Sequence, residues 1–217
     1  MVYEGIKFKT KKIEEDLPND SRIDRLKYWC NIFHEKGLAP PYEGGSYGNL
    51  SFRLNNSENF FIITASQSGL NESQTNDRFV TVSYVDLKAG IVYFKGIREP
   101  SSEAILHYVI YQARPDVQAV FHGHCEKISR NAKKLGLPIT SKEEPYGTID
   151  LAERVLETLN DFYFLEMKNH GFLSFGKSLD EAGNQALKFF EKCSKSQRKI
   201  SLQGILHPAF SWIKSLK

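Results

Sequence analysis

A mixed α+β fold built on antiparallel hairpins is predicted by three features of the 217-residue chain. Apolar residues recur at helical spacing in several separate stretches. Strand-like runs come in couples joined by short breaker-rich turns. A regular strand–helix–strand alternation, which a doubly wound parallel sheet requires, is absent. There is no internal repeat and no low-complexity linker. The expected organisation is one domain over 1–217, with a core at about 21–195, a partly extended lead-in over 1–20 and an extension over 196–217.

Ser21 to Lys36 reads as the first helix, because Ile23, Leu26, Cys30 and Phe33 fall on one face and Gly37 suits its C-terminal cap. A glycine-rich loop from Pro40 to Asn49 leads into a hairpin, with strands near Leu50–Leu54 and Phe60–Thr64 joined through Asn55, Asn56 and Ser57. A second pair, Phe79–Leu87 and Ile91–Lys95, turns at Lys88-Ala89-Gly90. Ser101 to Ala113 reads as a helix stopped by Arg114-Pro115. Val117 to His124 is a strand ending in a histidine pair, followed by a helix near Glu126–Leu135. Thr148 caps a helix reaching about Leu159. Strands Phe162–Met167 and Phe172–Phe175 flank Asn169-His170-Gly171, and Asp180 to Ser194 is the last helix. Beyond it, Leu202, Ile205, Leu206, Phe210, Trp212 and Ile213 suggest packing onto the core.

Composition narrows the function. With 41% hydrophobic and 25% charged residues the chain has ordinary globular composition. No window has the ~18 uninterrupted apolar residues of a membrane span, and residues 1–20 lack the apolar centre of a secretory signal. Cys30, Cys125 and Cys193 are too few and too far apart for a disulfide framework, so the protein reads as cytoplasmic and reduced. A net charge of +3, with basic runs near the two ends and no interleaved aromatic platform, gives no case for nucleic acid. It does suit an anionic small molecule.

Three constellations carry chemistry. His122 and His124 stand two apart on a strand, so both imidazoles face one way and can reach one ion, with Gly123 between them adding no competing side chain. His170, in a tight turn beside Gly171, is a third donor, and three protein ligands with one open position is the count of a catalytic zinc site. Ser101 and Ser102 place hydroxyls beside the unpaired N–H groups of a helix start, which suits a phosphate as well as a plain cap, and Glu103 beside them is a candidate general base. The run Gly44-Gly45-Ser46-Tyr47-Gly48-Asn49 either brings the backbone close to an anion, with Ser46 and Asn49 as donors, or is only a flexible turn before a strand. His34, His107 and His207 have no such placement and read as structural or surface residues.

Taken in order, the segments GGSYGNLSFRL (44–54), ITAS (63–66), PSSEAILHYVIYQARPDVQAVFHGHC (100–125), PYGTIDLAERV (145–155) and KNHGFLSFGKSLDEA (168–182) resemble the class II aldolase/adducin family. The resemblance implies a three-layer α/β/α sandwich around a largely antiparallel sheet, assembled as a homotetramer with sites between subunits. It implies His122, His124 and His170 as metal ligands and Glu103 as the carboxylate serving the metal site and proton transfer. Ser46, Gly48, Asn49, Ser66, Ser101 and Ser102 fall at substrate- and phosphate-binding positions. All three ligands are kept, which favours a metal-dependent aldolase acting on a ketose 1-phosphate over an adducin-like scaffold. Zinc is the first expectation, although imidazole also suits iron, nickel or copper.

Two departures bear on the reaction. The family's phosphate loop Thr-Pro-Ser-Gly is replaced by Thr64-Ala65-Ser66-Gln67-Ser68-Gly69, which leaves the contact open between Ser66 and the Ser68-Gly69 pair. Where related fuculose-phosphate aldolases carry a proton-donating tyrosine, three residues before the aromatic of Tyr146-Gly147-Thr148, this chain has Glu143. An acid there resembles the methylthioribulose-phosphate dehydratases, which typically lack the equivalent of Glu103. Dehydration, or epimerisation of a pentulose phosphate, is therefore the alternative to aldol cleavage.

Overall fold

The computed structural model describes residues 4–55, 60–71 and 75–204, with side chains described as far as residue 194. Its centre is an eight-stranded sheet, in the order β1 (Lys9–Glu14), β7 (Ile91–Lys95), β6 (Phe79–Asp86), β5 (Phe61–Thr64), β4 (Gly48–Arg53), β8 (Ala119–Gly123), β10 (Gly171–Gly176) and β9 (Phe164–Met167). Every neighbouring pair is antiparallel except β1–β7. The remaining strands, β2 (Pro41–Tyr42) and β3 (Gly45–Ser46), form a separate small hairpin.

Helices cover both faces. One apolar cluster joins α1 (Ile23–Glu35), α3 (Glu126–Asn131) and α5 (Leu179–Gly204) to the sheet through Leu26, Trp29, Phe33, Phe121, Ile128, Phe172 and Ala182. The other joins α2 (Ala104–Ala113) and α4 (Ile149–Leu159) through Ile105, Val109, Ile110, Leu151, Val155 and Leu173. This is the three-layer α/β/α sandwich expected. Because both faces are covered, every residue of β8 and β10 is buried, and apolar side chains do not alternate with exposed polar ones.

The local signals acted as their chemistry dictates. Gly37 follows α1 in the left-handed conformation (φ 65°), and the Thr148 hydroxyl accepts from the Leu151 N–H at 3.2 Å to cap α4. Several boundaries differ from the sequence expectation. The lead-in contains β1, an edge strand paired in parallel with β7; its lysines carry no apolar alternation, a composition that also protects a sheet edge. The glycine-rich loop is not a simple turn but the hairpin β2–β3, with Gly44 at φ 88°. Helical order beginning at Glu126 stops at Asn131 and gives way to turns that close on left-handed Gly136 (φ 66°). The last helix runs past Ser194 to Gly204, since no glycine or proline stands between those two residues. Asn56 and Ser57 of the first hairpin turn, and Ile205 onward in the tail, lie outside the described residues.

Candidate metal centre and substrate cleft

The site sits where β4, β8 and β10 lie side by side. Asn49 stands opposite His122, and Gly48 opposite Gly123, across β4 and β8; Leu173 and Phe172 take the same rungs on β10. Room here depends on glycine. A β-carbon on Gly48 would fall 2.7 Å from the His122 carbonyl oxygen, and one on Gly171 would fall 2.5 Å from the Gly123 carbonyl oxygen. At Gly123 it would meet the Leu38 carbonyl oxygen at 2.5 Å and the Phe172 ring at 2.6 Å. Gly123 is therefore required by packing under the site, a firmer reason than the open space expected from sequence.

His122 is fully buried at the end of β8, and His124 follows just past the strand. Their Nε2 atoms are 3.0 Å apart, close to the ~3.3 Å between two donors bound tetrahedrally at zinc–nitrogen bond length. His170 comes from the β9–β10 turn, where Asn169 adopts φ 55° and the His170 N–H donates to the Met167 carbonyl at 3.0 Å. One ligand atom from each of the three histidines lies within 4.8 Å of the other two. The His122 Nδ1 is 2.9 Å from the Phe172 carbonyl oxygen, so Nδ1 carries the proton and Nε2 presents its lone pair to the centre. Burial pushes the pKa of His122 down and that of His124 well down, which keeps imidazoles neutral as metal donors need. The donor set fits a divalent transition ion.

Glu103, buried at the start of α2, completes the group. Its Oε2 is 3.1 Å from His122 Nε2, and its Oε1 is 3.0 Å from His170 Nε2. The Asn49 side-chain amide donates to Oε2 at 2.8 Å. Burial alone would raise this carboxyl, but the positive charge of His122 and His170 when those rings are protonated, with the hydrogen bonds from His170 and Asn49, outweighs it and holds the pKa well below the usual range. Glu103 is thus an ionised carboxylate facing the same point as the histidines.

A cleft opens from this group. Ser46, Gly48, Ser66, Ser68, Ser101 and Ser102 line it together with Asn49, Glu103, His124 and His170. Ser101 sits in the turn before α2 and accepts from the Glu103 N–H at 3.3 Å, so the helix begins at Ala104, later than sequence suggested. Ser46 accepts from the Leu70 N–H at 3.0 Å, which leaves its own hydroxyl proton to give. Gln67 holds a left-handed backbone (φ 50°), the conformation that the family's glycine adopts readily. Gly69 has no positive φ and lies outside the cleft lining, whereas Ser66, Gln67 and Ser68 all line it.

Sequence reasoning placed two residues differently. Asn49, expected among the phosphate donors, lines the cleft and turns its side-chain amide to Glu103. Glu143 is exposed on the rim, outside the cleft lining, and accepts from the Asn169 side-chain amide at 2.8 Å, one residue from His170. Sequence missed Tyr42, Tyr47 and Tyr146, which also line the cleft. The Tyr47 ring lies 5.5 Å from that of His124 and 4.8 Å from that of Tyr42. Tyr47 lay inside the glycine-rich run already singled out, and that run was its only signal.

The model of the class II aldolase and adducin N-terminal domain matches residues 24–197, most of the chain. The chain belongs to this family. An L-fuculose phosphate aldolase of Methanococcus maripaludis is 32% identical over 168 residues, covering 70% of this chain and 83% of that protein. A methylthioribulose-1-phosphate dehydratase of Yersinia enterocolitica is 23% identical over 215 residues, covering 85% and 96%. The solved structure of an L-fuculose 1-phosphate aldolase superposes with a TM-score of 0.68 over 87% of this chain and 90% of that one, at 23% identity, a likeness of fold. Class II aldolases are metal-dependent lyases, and this chain is an enzyme of that type.

Proposed function

We propose that the protein is a zinc-dependent aldolase that splits a ketose 1-phosphate into dihydroxyacetone phosphate and an aldehyde. The observation that supports this most is Glu103, whose two oxygens stand 3.0 and 3.1 Å from two of the three clustered imidazoles. A base so placed meets whatever those imidazoles hold. The relatives named fuculose-phosphate aldolases supply the substrate class.

His122, His124 and His170 would hold the ion, which when bound supplies Lewis acidity to the carbonyl and neighbouring hydroxyl oxygens of the ketose. The serines at the start of α2, with Ser46 and Ser66, take the phosphate, aided by the positive end of that helix. Binding there orients the sugar instead of activating it. In cleavage the C4 hydroxyl loses its proton, the C3–C4 bond breaks, C4 leaves as aldehyde and C3 gains a proton. Glu103, ionised at rest, takes up a proton from solvent and delivers it to C3, and its amide partner Asn49 keeps it aimed. The aldehyde end opens toward the rim, where Glu143 takes the C4 hydroxyl proton. We extend the reading to a cytoplasmic homotetramer with sites at subunit interfaces. Exposed Ile149, Leu156 and Phe162 on and after α4 support apolar association, and no helix among the described residues is long and apolar enough to cross a membrane.

The test is incubation of the zinc-loaded protein with fuculose, rhamnulose and 5-deoxyribulose 1-phosphates. Release of dihydroxyacetone phosphate from any of them is expected. Loss of water without carbon–carbon cleavage, on these or on methylthioribulose 1-phosphate, would transfer the claim to a dehydratase, the second reading. That reading draws on Glu143 and on the Yersinia relative.

A further inference from the structure

Strand β4 and helix α2 are joined by a polar seam inside an otherwise apolar layer. Leu50 and Phe52 point to the cluster beneath α1, so Asn49, Ser51 and Arg53 share the opposite face, under α2. All three are buried, as are Glu103, His107 and Tyr111 on the helix. Two strand residues span about 6.6 Å and four helical residues about 6.0 Å, so the two series stay in step.

Each rung is made. Asn49 donates to Glu103 at 2.8 Å. The Ser51 hydroxyl is 2.7 Å from His107 Nδ1 and 2.7 Å from the Tyr111 hydroxyl. Arg53 donates through Nε to the Val117 carbonyl at 3.2 Å, and through Nη2 to the carbonyls of Tyr111 and of Arg114, the latter at 3.2 Å. Its guanidinium also lies over the Tyr111 ring, 4.8 Å from the centroid. Apolar residues could bind a helix to a sheet as firmly. Directional hydrogen bonds fix in addition where the helix stops along its axis and how far it is rotated. A slip of one residue would turn α2 by about 100° and carry Glu103 off the imidazoles.

We propose that this seam, with His107 and Ser51 as its centre, is the device that positions the Glu103 carboxylate, making both of them positioning residues for proton transfer. The proposal rests on the aldolase reading for its kinetic consequence, but the placement of Glu103 is separately measurable. Buried neutral His107 adds no charge that would draw the carboxylate away from the centre. Its fixed imidazole links Ser51 on the strand to the turn of helix that follows Glu103.

The experiment compares wild type with Ser51→Ala, His107→Leu, His107→Asn and Glu103→Gln, loaded with cobalt(II), and uses Val155→Ala in α4 as a control for general loss of packing. His107→Leu and Ser51→Ala should keep one cobalt per chain and a KM within about threefold, while kcat falls about 30- to 100-fold. Their cobalt absorption spectra should move toward that of Glu103→Gln. His107→Asn, whose amide can replace Nδ1 as partner to Ser51, should regain most of the lost kcat. A wild-type spectrum in both Ser51→Ala and His107→Leu, or losses in KM and cobalt content matching those of Val155→Ala, would overturn the proposal. If wild type binds cobalt but cleaves no ketose phosphate, the aldolase reading fails and the spectra still decide the seam.

Discussion

Asn49 stands directly opposite His122 across β4 and β8, and its side-chain amide reaches the carboxylate of Glu103 at 2.8 Å. One rung of the sheet thus carries both a metal-ligand candidate and the group that holds the proposed base.

Glu103→Gln keeps the side-chain shape and removes the proton-accepting charge. Zinc content should stay near one ion per chain, and kcat should drop by about 10²- to 10⁴-fold. Metal analysis beside steady-state kinetics checks both halves. A variant that turns over normally would remove Glu103 from the mechanism.

Substituting any one of His122, His124 or His170 by Ala should abolish stoichiometric zinc binding at micromolar concentration while the fold persists, since the core clusters do not depend on these side chains. Elemental analysis and circular dichroism give the readout. Dialysis of the wild-type protein against a chelator should likewise stop turnover reversibly, with activity restored by added zinc.

Glu166 offers a pH prediction away from the cleft. It lies buried on β9, and neither carboxylate oxygen has a well-formed hydrogen bond. Burial pushes its pKa from an ordinary 4.5 up to about 7, while Ser129 and His170 act weakly in the other direction. The folded form therefore keeps a proton that the unfolded chain has already released. This contribution is complete below about pH 4.5 and is lost as pH rises to about 7, a difference on the order of 3 kcal/mol. Denaturant unfolding at pH 5 and pH 8 should show that fall in wild type, and Glu166→Gln should remove most of it. An unchanged difference in the variant would rule Glu166 out as its source.

At Gly183 in α5 a β-carbon would lie 2.3 Å from the Trp29 ring of α1. Alanine normally favours a helix by up to ~1 kcal/mol over glycine. Here Gly183→Ala should instead destabilise by about 1–3 kcal/mol through overpacking, visible as a lower Tm. A rise in Tm would mean that Trp29 moves aside freely, which its 2.9 Å hydrogen bond to Asp180 opposes.

The helices and central strands were legible in sequence because their period and end signals agree, as with Thr148 and Gly37. β1 was not recognised as a strand, since Lys9, Lys11 and Lys12 show none of the alternation that marks one buried face. The three imidazoles that cluster could be picked from residue type, spacing and family order. The aim of Asn49 could not, because a donor in a glycine-rich loop suits an anion and a buried carboxylate equally well. His107 shows the same limit: nothing local in the helix tells that a histidine there meets a serine more than fifty residues earlier in the chain.

The three strands beneath the candidate metal centre come from widely separated stretches of chain, with β8 pinned between β4 and β10. Contacts of such long sequence separation close slowly and late. An emerging or half-assembled chain owns the His122–His124 pair at most, which cannot match the grip of the full triad. Tight zinc capture should thus coincide with completion of the sheet, and the rate of uptake during refolding would time that final pairing.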